Sequence, residues 1–73
     1  MAFRFSRAKI LPVFLSKRIT TEQLARNAGV AIQTAERAVN GQRISARVVD
    51  GIANALNVDA VQYLAQPAHY QEV

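Results

Sequence analysis

Apolar residues along the chain recur at intervals of three and four, and strict alternation goes no further than Phe3-Arg4-Phe5. That spacing belongs to helices with one face turned toward a core. Ile10, Val13 and Phe14 mark such a face in a first helix, predicted over about residues 9–18. Pro12 constrains where it starts. An interior proline removes a hydrogen bond and costs about 3 kcal/mol, whereas in the first turn its missing N–H would be unpaired anyway. The helix is therefore expected to begin near Ala8 or Lys9, with Phe3 and Phe5 in an extended arm. Thr20 and Gln23 have the spacing of a capping box, with Ile19 and Leu24 as its hydrophobic staple. Gly29 supplies a left-handed stop, so a second helix is predicted over 21–28.

Only Val30 and Ala31 separate Gly29 from a third helical pattern, over 32–39. Ala35, Ala38 and Val39 share one face of it, and Gln33, Glu36, Arg37 and Asn40 share the opposite one. Gly41 ends it. Ser45 caps a fourth helix reaching about Leu56, with Val48, Val49, Ile52 and Leu56 inward and Asn57 as its stop. Gly51 inside that helix should cost roughly 1 kcal/mol against alanine. Asp59 and Gln62 read as a second capping box, opening a short fifth helix that carries Val61, Tyr63 and Leu64 and ends at Pro67. Ala68 to Val73 are expected to be loose. The expected fold class is all-α, five short helices around one core. The expected organisation is an N-terminal arm over 1–8, one domain over 9–65 and a flexible tail over 66–73.

Composition removes whole classes of function. Seventy-three residues leave room for one domain, and 51% hydrophobic with 19% charged residues argues against disorder. There is no cysteine, and His69 is the only histidine, so neither a metal site nor a cofactor is expected. The longest apolar run, Ile10 to Leu15, is interrupted by Pro12 and is far short of the ~18 residues of a membrane span. It is followed by Lys17-Arg18 instead of a small-residue cleavage site, so it does not read as a signal peptide. A cytoplasmic protein with no membrane partner is expected. No nucleophile–base pair, phosphate loop or ligand cluster appears, and an enzyme is not expected.

Charge is unevenly placed. The net charge is +4, but all nine Lys and Arg lie between Arg4 and Arg47, where the only acids are Glu22 and Glu36. Residues 1–47 thus carry +7 and residues 48–73 carry −3. A basic front and an acidic back suit a polyanion met by one end of the fold.

Two short helices joined by a tight glycine-containing turn are the mark of a helix-turn-helix. Residues 21–40, TEQLARNAGVAIQTAERAVN, resemble that motif in the phage repressor/Cro-type family, also called the xenobiotic-response-element (XRE) family. Ala25 matches the small residue at the helix crossing, and Gly29 matches the turn glycine. Leu24, Ala28, Val30, Ala35 and Ala38 match the buried positions. The segment from Ile52 to Val58 is similar to the fourth helix and its exit, so the resemblance spans about residues 9–65. There are two departures. Ala31 stands where the family usually caps the recognition helix with serine or threonine, and Ile32 stands where a polar base-contacting residue is common.

The resemblance implies a lambda-repressor-like fold and sequence-specific binding of double-stranded DNA. The implied role is transcriptional control, as a Cro-like repressor of phage or mobile-element origin acting at the nucleoid. Its recognition helix would be Ile32 to Val39. Gln33 is placed for a bidentate bond to adenine, Arg37 for guanine or a phosphate, and Ile32 for apolar contact with a thymine methyl. Glu36 is expected to accept from cytosine or, in preference, to orient an arginine. Thr21 and Gln23 open the second helix, whose N–H groups suit a phosphate. Thr34, Asn40, Arg43 and Arg47 complete the expected backbone contacts, and Arg4 and Arg7 are candidates for a minor-groove arm. A pseudo-palindromic operator implies a weak homodimer, expected through Val61, Tyr63 and Leu64 with Tyr70 and Val73 extending the patch. A rival reading uses the same fold as a protein-interaction module, an antitoxin or anti-repressor with a protein partner.

Overall fold

Three helix starts are fixed by a capping side chain, Thr20, Ser45 and Asp59. The computed structural model describes residues 2–65. It contains the five expected helices: α1 (Arg7–Ser16), α2 (Thr21–Ala28), α3 (Ile32–Val39), α4 (Ala46–Leu56) and α5 (Ala60–Tyr63). Two very short strands, β1 (Ala2–Phe3) and β2 (Ile44–Ser45), join them. The Thr20 hydroxyl accepts from the Gln23 N–H and the Gln23 side chain accepts from the Thr20 N–H, both at 3.0 Å. Ser45 and Asp59 cap α4 and α5 by accepting from the N–H groups of Val48 and Val61. The Asp59 cap is one-sided: among the described residues no Gln62 side-chain bond completes a second box. Gly29, Gly41 and Asn57 take left-handed conformations at the ends of α2, α3 and α4. The following N–H groups of Val30, Gln42 and Val58 reach back to the carbonyls of Ala25, Arg37 and Ala53 at 2.9–3.0 Å, which satisfies carbonyls left orphaned at each helix end.

The core is built from Phe5, Ile10, Leu24, Ile52 and Leu56, with the small residues Ala25, Ala35 and Ala38 between helices. α2 packs on both α3 and α4. Gly51 marks the tightest approach: a Cβ there would meet the Ala28 carbonyl oxygen at 2.6 Å. The expected propensity penalty of this glycine is thus outweighed by a packing need. In Gly51→Ala the ~1 kcal/mol helix-propensity gain opposes an overpacking cost of roughly 1–3 kcal/mol or more, against backbone that cannot swing aside. A net loss of up to about 2 kcal/mol is expected, read as a lower midpoint in thermal unfolding. A midpoint above that of the parent would contradict the close approach.

The ends of the chain depart from the sequence reading. α1 begins at Arg7, so Pro12 is its sixth residue and not part of the first turn. The start is drawn forward by a tertiary tie: the Ser6 N–H donates to the Tyr63 carbonyl at 2.7 Å, and Ser6 is extended just before the helix. α1 stops at Ser16, and Arg18 turns left-handed at φ 56° to redirect the chain into the α2 cap. Residues 2–5 are extended, yet they are packed into the domain. β1 pairs antiparallel with β2, Ala2 opposite Ser45 and Phe3 opposite Ile44. Phe5 bridges to Leu64 and is only 1% exposed. Tyr63 and Leu64 are themselves half-buried against this core, which leaves Val61, 75% exposed, as the open member of the expected dimer patch. The expectations for Pro67, Tyr70, Val73 and the tail over 66–73 lie outside the described residues.

Candidate nucleic-acid interface

The turn between α2 and α3 is three residues, Gly29-Val30-Ala31. Ala25, Ala35 and Ala38 are buried where α2 and α3 meet the core, and their small side chains let the helices approach closely. Ala31 has the extended backbone of an N-cap but makes no side-chain cap bond to α3. A serine or threonine there is worth about 1 kcal/mol in other helices.

With Ala35, Ala38 and Val39 turned inward, α3 leaves Gln33, Glu36, Arg37 and Asn40 exposed, and Thr34 half-buried. Ile32, in the first turn, is 45% exposed, a large apolar side chain open to solvent. The Asn40 amide donates to the Glu36 carbonyl at 2.9 Å, so Asn40 closes the end of α3 and keeps a second N–H for another acceptor. On α2, Thr21 is half-buried and Gln23 exposed. The side-chain oxygen of Gln23 is held by the cap, so its free donor is the NH2 group.

Among the described residues no arginine stands within ion-pair distance of Glu36. Among the described residues the ion pair is Glu22 with Arg26, at 3.6 Å across one turn of α2. Glu36 and Arg37 are sequence neighbours, which point in different directions around a helix and do not face each other. Both charges are left to solvent or to a ligand. The exposed Glu22–Arg26 pair contributes only about 0.3–0.5 kcal/mol.

Beside α3 lies an open hollow of about 450 Å³, lined by Thr34 and Arg37 of α3, Arg43 of the following loop, Ile44 and Ser45 of β2, Val48 of α4, and Ala2 of β1. Two guanidinium groups and two hydroxyls share this surface with no carboxylate among the lining residues. The Ser45 hydroxyl is engaged at the α4 cap. Arg47 is exposed in the first turn of α4, outside the hollow's lining. Ala2 reaches the hollow through the β1–β2 pairing, which sets it opposite Ser45. Among the described residues no group of His, Asp and Glu gathers as metal ligands would. Nor is any helix there long and apolar enough to cross a membrane.

The surface is thus a short helix held by its small-residue face against a scaffold, its polar face outward and arginines at its flank. The family model for the Cro/C1-type helix-turn-helix DNA-binding domain matches residues 11–62. No match was found among curated proteins or among solved structures. The matched span runs from within α1 to α5 and takes in the capped α2, the glycine turn, α3 and the α4 scaffold, which is most of the chain. By that match and by this architecture, the chain belongs to the Cro/C1-type helix-turn-helix family and is a DNA-binding transcription regulator.

Proposed function

We propose that the protein is a Cro-like repressor that binds a pseudo-palindromic operator, with α3 in the major groove and one copy on each half-site. The observation that carries the reading is the division of α3: Ala35, Ala38 and Val39 are buried while Gln33, Glu36, Arg37 and Asn40 are exposed. A groove-reading helix needs one face for its scaffold and one for base edges. Gln33 and Arg37 lie one turn apart and are the base-reading pair, with Ile32 against a thymine methyl and Glu36 accepting from cytosine N4. Thr21, Gln23, Thr34, Asn40, Arg43 and Arg47 hold the backbone. Arg43 and Thr34, on the lining of the hollow, favour a phosphate on that flank. A single helix reads too few base pairs to select a site in a genome, which is why two copies are proposed. Since Tyr63 and Leu64 serve the protomer's own core, pairing falls to Val61 and to assembly on the DNA. The place of action is the cytoplasm, at the nucleoid.

Base-reading and backbone residues separate under mutation. Gln33→Ala and Arg37→Ala are each expected to lose roughly 1–3 kcal/mol on the preferred site and to relax base preference locally. Arg43→Ala and Asn40→Ala are expected to weaken all sequences about equally. Binding of each variant to a panel of single-base operator changes measures this. If all four variants keep the parent's preferences, α3 is not the reading helix.

A further inference from the structure

The N-terminal segment is strongly basic. Arg4, Arg7, Lys9, Lys17 and Arg18 are the only charged side chains in residues 1–21, five bases without an acid. One of them is set against the exit of α3. A Cβ at Gly41 would lie 3.2 Å from the Arg7 Cβ and 3.2 Å from the Phe5 carbonyl oxygen. The Arg7 stem therefore lies against the residue that follows Asn40, and Arg7 is exposed. Gly41 is left-handed at φ 78°, so both its conformation and this approach favour glycine.

The segment that carries Arg7 is fixed in place. Phe5 is buried, the Ser6 N–H is bound to the Tyr63 carbonyl, and the Ala65 N–H donates to the Arg4 carbonyl at 2.7 Å. β1 holds Ala2 at the rim of the hollow that Arg37 and Arg43 line. A free arm reaching into the minor groove would have to pull Phe5 out of the core. The geometry points instead to Arg7 as a fixed contact for a backbone phosphate, beside Asn40 at the exit of α3. Arg7, against Gly41, and Arg43, on the loop that follows, then stand at the exit of the recognition helix, next to the base-reading Arg37. The backbone clamp extends beyond the helix-turn-helix into the N-terminal segment. This inference rests on the DNA-binding reading above.

The test is fluorescence anisotropy on two duplexes, one selected by the parent protein and one of random sequence, across a salt series. Arg7→Gln is expected to weaken both duplexes alike, on the order of tenfold, and to reduce the salt slope by about 1 per bound chain. Arg7→Lys, which keeps the charge, retains most of the affinity. Lys17→Gln removes the same charge ten residues on, at the C-terminal cap of α1, about 15 Å away and beyond the ~8 Å screening length, and leaves the slope unchanged. The inference is overturned if Arg7→Gln keeps the parent's slope, or if Lys17→Gln loses as much as Arg7→Gln. A parent protein that binds neither duplex overturns the DNA reading itself, a separate and recognisable outcome.

Discussion

Phe5→Ala is expected to remove about 3–5 kcal/mol of stability, the range for deleting a fully buried phenylalanine side chain. Phe5 is 1% exposed and sits among Ile10, Leu24, Ile52 and Leu56 as one of the five largest fully buried side chains. A chain of this length has roughly 4–11 kcal/mol in total. In a domain this small each kcal/mol moves the melting temperature by about 4–8 °C. The variant should therefore melt at least ~12 °C below the parent, or fail to fold at growth temperature. The same substitution at Phe3, which is only half-buried, should cost clearly less. Phe5 also anchors the ties from Ser6 to Tyr63 and from Arg4 to Ala65, so its loss should loosen α5 along with β1. Thermal unfolding followed by circular dichroism measures the effect. A Phe5→Ala protein melting within a degree or two of the parent would mean that the N-terminal segment is not part of the core.

DNA affinity should collapse with salt. Residues 1–47 carry +7, and Arg37, Arg43 and Arg47 lie on α3, the loop that follows it and the first turn of α4. Two chains on one operator would make about six to ten phosphate contacts. Each contact releases condensed counterions, and the expected loss between 50 and 200 mM salt is ~10³–10⁵ in affinity. The acidic residues Asp50 and Asp59 sit on or beyond α4 and do not enter the lining of the hollow. Isothermal binding curves at four or five salt concentrations give the slope directly. A slope near zero would mean that backbone contacts are absent, whatever the shape of α3.

The centre of the molecule was readable from the sequence because its signals are local. Thr20, Gln23 and Gly29 bound α2, and Gly41 closes α3, each through hydrogen bonds reaching no more than five residues. The three-and-four spacing of Ala35, Ala38 and Val39 against Gln33, Glu36, Arg37 and Asn40 likewise needs only helix geometry to sort inner from outer. The ends were different. Pairing of residues 2–3 with residues 44–45 is a contact across some forty positions, between strands too short to show any alternation. The bridge from Phe5 to Leu64 spans still more of the chain; it takes Phe5 from arm to core and packs the half-buried Leu64 against that core. Pro12 argued for a later start of α1, but the tie from Ser6 to Tyr63 outweighs that local preference. Gly51 was visible only as a penalty, since the Ala28 carbonyl that requires it lies on another helix. In the interface, residue types and exposure were readable, while the hollow that gathers Thr34, Arg37, Arg43 and Ser45 depends on β1 and β2.

Selection of bound duplexes from a random pool, followed by sequencing, tests the central claim most directly. The account predicts an enriched site with two inverted half-sites whose centres lie about 34 Å apart, one turn of the double helix. It further predicts that the same selection with Arg37→Ala loses preference at one position of each half-site while keeping the spacing. Recovery of no enriched sequence, or of a single non-palindromic site bound by one chain, would contradict it.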